Sequence, residues 1–175
     1  MRPMRAAAPF AVVAALGAAV LSPAHAAAAR PASPAAYVVW SPDGRHCAEL
    51  DPQRMETRVF AVDPDGARRA TWSMNGWFQG AALANDGDHL VVSPDEIGLV
   101  RADYDPGDAL VVIYDRGYLV RAVPLSEVVA PADLIRRDAW FLWGHPQGFD
   151  ARGRFVLATF DGDVPIDVRT GRRAR

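Results

Sequence analysis

Two histidines at matching positions are the first candidates for chemistry. His46 and His89 each stand two residues after the glycine of an Asp/Gly turn. Imidazole is a common metal ligand, so two rings at one repeat position could share a metal ion. The third turn of this type carries Phe155 at the same place, and equivalent positions on neighbouring sheets need not face one centre. The sequence therefore predicts no metal site and no cofactor.

Aspartates are concentrated in the turns, most densely at 63–66, 103–108 and 161–163. A calcium loop needs several oxygen ligands at fixed spacing and a closing glutamate, and none of these segments has that spacing. Aspartate is also favoured in β-turns, where its carboxylate accepts hydrogen bonds from nearby backbone amides. These aspartates are interpreted as turn residues.

Motifs for covalent catalysis or phosphate binding are absent from the sequence. None of the serines at 33, 41, 73, 93 and 126 lies in a Gly-x-Ser-x-Gly elbow. The glycines are scattered through hairpins and form no strand, glycine-rich loop and helix unit. Pairs of carboxylates that meet only in space stay open, because sequence spacing does not reveal them. No catalytic residue is predicted.

Five tryptophans provide the other candidate site. Trp72 and Trp77 flank a segment that joins two sequence repeats, and they are the candidates for an aromatic ligand platform, although core packing is the more common role of such side chains. Trp40, Trp140 and Trp143 are predicted to lie in the core, since aromatic side chains bury large areas.

The N-terminus has the order of charge and apolarity that is typical of a secretory signal peptide. Arg2 and Arg5 precede an apolar run over 6–21, and Ala24-His25-Ala26 follows. Cleavage is predicted between Ala26 and Ala27. A retained anchor is the alternative, but the run is shorter than the roughly 20 residues of a bilayer span. The expected organisation is a signal peptide at 1–26, a flexible lead-in at 27–36 and one domain at 37–175, located in the periplasm or secreted, with no membrane span after processing.

The charge balance argues against one class of function, and the cysteine content limits how the fold can be stabilised. All 19 basic residues are arginine, and 21 residues are acidic. Loss of Arg2 and Arg5 with the signal peptide makes the domain more acidic, which argues against nucleic-acid binding. Cys47 is the single cysteine, so an internal disulfide is impossible, and its place in a strand predicts a buried thiol.

The domain itself is predicted to consist of three β-sheet repeats. A strand, a tight Asp/Gly turn and a second strand recur at 37–50, 80–92 and 140–158, and each unit is followed by a further hairpin. The result is an all-β fold of about three four-stranded antiparallel sheets. A brief helix within 125–136 is expected, with Ser126 as its cap. Strands 110–114 and 140–143 are apolar on both faces, so both are expected to be covered on both sides.

The turn motifs resemble the TolB-type and WD-like β-propeller repeats of exported bacterial proteins. Ser41-Pro42-Asp43-Gly44-Arg45 carries the resemblance, with its echo at 84–88 and the closing Asp167-Val168-Arg169-Thr170-Gly171. The resemblance implies a propeller-like fold and no particular reaction. Closed propellers have at least about four blades, so three repeats imply an open stack, or a ring completed by a second chain.

These observations lead to the prediction of a non-catalytic exported domain that binds a protein partner or a second copy of itself. The alternatives are a periplasmic enzyme whose site is assembled from loop carboxylates and arginines, and a small-ligand sensor that uses the region of Trp77.

Overall fold

The computed structural model describes residues 34–93 and 98–174. The predicted signal peptide, its cleavage site at Ala26 and Ala27, and most of the predicted lead-in lie outside these residues. No helix in the part that the structure describes is long and apolar enough to cross a membrane.

The described chain forms three four-stranded antiparallel sheets and one three-stranded sheet. The first sheet contains β1 (Tyr37–Trp40), β2 (His46–Asp51), β3 (Glu56–Val62) and β4 (Arg68–Asn75). The second sheet contains β5 (Gly80–Leu83), β6 (His89–Ser93), β8 (Ala109–Asp115) and β9 (Tyr118–Pro124). The third sheet contains β12 (Gly144–Phe149), β13 (Phe155–Thr159), β14 (Gly162–Asp167) and β15 (Arg172–Arg173). The predicted repeat of four antiparallel strands is confirmed.

A smaller sheet, here the insertion sheet, interrupts this repeat. It is formed by β7 (Leu99–Arg101), β10 (Ile135–Arg137) and β11 (Trp140–Leu142), in the order β10-β11-β7. The sequence predicted that residues 140–142 begin the third sheet, and this prediction is wrong. They pair with a strand inserted between β6 and β8, and this pairing is invisible in the local pattern because the two segments are far apart in sequence.

The connection from the second to the third sheet is nearly without helix. Two short 3-10 turns, Leu125–Glu127 and Pro131–Asp133, take the place of the expected helix. Ser126 is not a cap, since the residue before the first turn is Pro124 and makes no side-chain capping bond. Pro131 starts the second turn, where its fixed φ is compatible with a helical start.

The core consists of two apolar layers, one on each face of the second sheet. In β8, Val111 and Ile113 point into the layer shared with the third sheet, whereas Val112 and Tyr114 contact the layer shared with the first sheet. Alternate side chains of a strand point to opposite faces, so a strand covered on both sides must be apolar at every position. The prediction that 110–114 is covered on both sides is confirmed.

The outer face of the first sheet is not covered by another sheet in the described part of the chain. Val38 and Trp40 on this face are 41% and 48% exposed. The predicted fold, all-β and propeller-like without a closed ring, is therefore confirmed. Trp40 and Trp140, which is 44% exposed, are not the core residues that the sequence predicted, whereas Trp143 is fully buried.

Candidate functional site

A charged cleft of about 420 Å³ lies between the second and third sheets. It opens between the β5–β6 turn and the β12–β13 turn, and the end of β14 closes one side. Its lining includes two acidic residues and three arginines, namely Asp86, Arg152, Arg154, Asp167 and Arg169. We call this the charged cleft.

The two turns that form the cleft have the same backbone structure. The amide of Gly87 donates to the carbonyl of Ala84 at 3.1 Å, and the amide of Gly153 donates to the carbonyl of Asp150 at 2.9 Å. Both glycines have a φ near +70°, a conformation that other residues adopt only with strain. Asp86 and Arg152 each precede the glycine of their turn. The repeat therefore places a negative and a positive side chain at equivalent positions on neighbouring sheets.

Asp86 is tied to a histidine inside its own turn. Its Oδ2 lies 2.7 Å from Nδ1 of His89, and its Oδ1 accepts the backbone amides of Asp88 and His89 at 3.0 and 3.1 Å. Burial raises the pKa of Asp86, but the hydrogen bonds from the two amides and the ring outweigh it, so the pKa lies below its ordinary value. The carboxylate is therefore ionised at neutral pH.

This pairing sets the tautomer of His89. An ionised carboxylate at Nδ1 favours the tautomer with the proton on that nitrogen, which leaves a lone pair on Nε2. The imidazole is buried, so its orientation is set by packing as well as by Asp86.

The arginines of the cleft differ in how far they are already neutralised. Arg154 is held by Asp150, with Nε 2.7 Å from Oδ2, and this bond is the main reason why the pKa of Asp150 is lowered. Arg169 lies 3.7 Å from a carboxylate oxygen of Asp167 and is largely exposed. Arg152 forms no ion pair among the described residues. Its guanidinium is the group of the cleft that is available to an anionic ligand.

The two histidines at matching positions lie in different interfaces. His46 packs against Gly87, between the first and second sheets, and its Nδ1 is buried without a hydrogen-bond partner among the described residues. His89 is bonded to Asp86. Within residues 34–93 and 98–174, no three His, Cys, Asp or Glu side chains approach closely enough to hold a metal ion.

The structure places Trp72 and Trp77 together in the layer between the first and second sheets, where both are partly buried. The indole N–H of Trp72 donates to the carbonyl of Gly87 at 2.8 Å. Trp77 meets Tyr37 edge to face at 6.4 Å between ring centroids, and its own N–H is buried without a partner among the described residues. A ligand platform at these two residues stays a prediction.

The charged residues of the cleft were not among the predicted site residues. The signal that could have revealed them is the shared turn itself, because equivalent turn positions on adjacent sheets lie side by side. Comparing residue 86 with residue 152 would have shown opposite charges at one register. Only the packing of the sheets shows that a cleft lies between them.

No family model and no curated protein matches the chain. Solved structures with a similar arrangement include a periplasmic gluconolactonase from Pseudomonas aeruginosa, with 18% identity and a TM-score of 0.36 over 79% of this chain and 37% of that one. Another is a luciferin-regenerating enzyme, with 15% identity and a TM-score of 0.32 over 78% of this chain and 43% of that one. The chain thus spans less than half the length of either structure.

The prediction of a non-catalytic binding domain is corrected here. The two solved structures are enzymes by name. In the chain itself, carboxylates and arginines converge on a concave cleft, which is the arrangement that distinguishes the alternative of an enzyme from a set of surface turns.

Proposed function

We propose that this protein is an exported hydrolase that acts on a small anionic ester or lactone in the charged cleft. The observation that carries the proposal is that Asp86, whose carboxylate is bonded to His89, and Arg152, which has no ion-pair partner among the described residues, line one cleft between two sheets. Such a cleft joins a proton acceptor with a binding group for negative charge, which are two of the parts expected of a hydrolytic site.

Arg152 is assigned the role of substrate binding. A guanidinium presents two parallel N–H groups that match the two oxygens of a carboxylate or phosphate. Because no carboxylate of the described chain neutralises Arg152, the substrate does not have to displace an internal partner. Arg169, which is loosely paired with Asp167, adds positive potential on the other side of the cleft.

The Asp86–His89 pair is assigned the activation of water. The imidazole takes a proton from water as the oxygen attacks the carbonyl carbon, and Asp86 stabilises the imidazolium that forms. The same imidazolium then gives the proton to the departing oxygen, so the C–O bond breaks and the base is restored. Hydrolysis in this form needs no further reactant than water.

Export and the repeat family are part of the proposal. The charged and apolar order of the N-terminus supports secretion to the periplasm or the medium, and the Asp/Gly turns support a TolB-type repeat. Mass spectrometry of protein recovered from these compartments should find an N-terminus at Ala27. An intact Met1 in a membrane fraction would contradict export.

The hydrolase proposal is tested with chromogenic aryl monoesters of dicarboxylic acids, compared with a neutral aryl acetate. Arg152→Gln should raise KM for the anionic ester and leave the neutral ester unaffected, because only the former uses the guanidinium. His89→Gln should lower kcat about 100-fold or more, the usual contribution of a general base.

Two residues of the first sheet provide matched controls. Arg45 follows a turn glycine outside the cleft, and His46 occupies the position of His89, but its Nδ1 has no hydrogen-bond partner among the described residues. Arg45→Gln and His46→Gln should leave the kinetics unchanged. No turnover of either ester by folded protein, or equal losses in the site and control variants, would refute the proposal.

A further inference from the structure

We infer that a second groove, between the insertion sheet and the second sheet, binds a neutral sugar ring. This aromatic groove has a volume of about 360 Å³. Its lining includes Arg101, Asp103, Tyr104, Asp108, Leu110 and Trp140. None of these residues lines the charged cleft, so the inference is independent of the proposed hydrolase.

An exposed aromatic platform forms the rim of the aromatic groove. Trp140 is 44% exposed, although its indole would gain free energy from burial. Tyr104 also lines the groove, and its ring meets that of Phe141 edge to face at 5.8 Å between ring centroids. A large ring left half in water at the edge of a concave apolar surface is typical of a binding site.

An ion pair between Arg101 and Asp103, here called the fork, also lines the groove. Arg101 is the cross-strand partner of Trp140, and its guanidinium meets the carboxylate of Asp103 through two hydrogen bonds of 2.9 and 3.2 Å. Both side chains remain about 70% exposed. Guanidinium has five N–H donors and carboxylate about four acceptor positions, so most of the donors and acceptors of this pair are still available.

The charge of the fork selects the class of ligand. Arg101 and Asp103 neutralise each other, and a further carboxylate of the lining, Asp108, accepts the backbone amide of Asp105 at 3.1 Å. This additional carboxylate repels an anion, and a cation would have to compete with the guanidinium of Arg101 for Asp103. A neutral molecule with vicinal hydroxyl groups can donate to the carboxylate and accept from the guanidinium at once. The exposed ring of Trp140 at the rim requires that the ligand also present an apolar face.

A pyranose ring combines these two properties. Its axial C–H groups form an apolar face that can stack on an indole, and its hydroxyls lie around the edge within reach of planar hydrogen-bonding side chains. The groove also lies on an insertion into the repeat, and such insertions often carry binding residues.

Binding is tested on the full chain by tryptophan fluorescence and calorimetry, with methyl β-glucopyranoside, cellobiose and maltose as probes up to the millimolar range. We expect a saturable response to at least one of these sugars. Trp140→Ala should raise its Kd at least about tenfold, which corresponds to about 1.4 kcal/mol. Trp40→Ala is the matched control, because Trp40 is similarly exposed on the far face of the first sheet, and it should leave Kd unchanged.

Two outcomes overturn the inference: no saturable response from folded wild-type protein, or the same Kd in wild type and Trp140→Ala. If Trp140→Ala does not fold, Trp140→Phe and Asp103→Asn replace it. The first variant keeps an aromatic face and should bind within a few-fold of wild type, whereas the second loses an acceptor and should weaken binding. Equal affinity of wild type and Asp103→Asn would then refute the site. Because the esters and the sugars are measured separately, failure of one proposal does not affect the other.

Discussion

The imidazole of His46 lies directly against the backbone of Gly87 in the neighbouring sheet. A Cβ at Gly87 would stand 2.3 Å from Cδ2 of His46, whereas a Cβ at Gly44 would meet nothing within 4 Å. Both glycines have a φ of +70°. The two positions therefore share the same backbone strain and differ in packing alone.

We predict that Gly87→Ala destabilises the domain more than Gly44→Ala does. The positive φ costs a residue with a Cβ about 1 to 2 kcal/mol at either site. At Gly87 the clash with His46 adds an overpacking cost of about 1 to 3 kcal/mol. Urea unfolding of the two variants measures the difference.

Removing the imidazole should reverse the additional cost. In the background of His46→Ala, Gly87→Ala is expected to cost no more than Gly44→Ala does in the wild type. A double-mutant cycle gives the coupling between the two positions. Additive effects would show that the sheets separate to accept the methyl group, contrary to the close contact between His46 and Gly87.

The second prediction concerns stability in acid. The folded pKa of Asp86 lies below its ordinary value, so its ionised form contributes stability above about pH 4, and this contribution is lost as the pH falls through the folded pKa. Asp86→Asn removes the titrating group. The loss of stability between about pH 5 and pH 2 should therefore be smaller in this variant than in wild type.

The midpoints of urea unfolding at several pH values measure how stability changes with pH. Asp161→Asn is the matched control, since Asp161 is an exposed turn carboxylate with no hydrogen-bond or ion-pair partner among the described residues. Its pH dependence should equal that of wild type. If stability changed with pH in Asp86→Asn as it does in wild type, the bonds between Asp86 and His89 would not persist in solution.

Arg121 joins the second sheet to the third, and its loss should weaken that junction. Its Nη1 donates to the carbonyl of Gly171 at 3.0 Å, and Nη2 pairs with Glu127. Arg121→Met keeps the apolar stem and removes these bonds, with an expected cost of about 1 to 3 kcal/mol. Arg116→Met removes a more exposed pair with Asp88 and should cost clearly less, because solvent-exposed ion pairs contribute little to stability. Equal unfolding free energies for the two variants would contradict the assigned role of Arg121.

The thiol of Cys47 should be inert in the folded protein. It is fully buried, as predicted, and burial raises its pKa, which Arg68 only partly opposes. Thiolate is the reactive form, so a thiol reagent at about pH 8 should label Cys47 only after unfolding. As a control, Ser73→Cys introduces an exposed thiol on the same sheet. Its labelling rate is the difference between the rates of the variant and of wild type. Labelling of native Cys47 at the rate of the introduced thiol would contradict this prediction.

The first two sheets could be predicted from sequence because their strands are delimited by local chemistry. Gly44 and Gly87 adopt the positive φ that their turns demand, and the strands on either side are those that the apolar runs indicated. The third sheet began later than expected. Trp140–Leu142 is as apolar as a core strand, but its partner is the inserted strand Leu99–Arg101, and an apolar run does not specify which strand it pairs with.

The sequence by itself determined the all-β class, the turn glycines, the buried Cys47 and the need to cover both faces of 110–114, since each depends on short-range conformational preference or side-chain alternation. Tertiary structure alone decided that Asp86 and Arg152 line one cleft and that Trp140 lies beside Arg101 on an open groove. Those pairs are far apart in the chain and meet because sheets pack face to face and an inserted strand finds its partner. Such contacts follow from the packing of whole elements, which no local pattern of residues encodes.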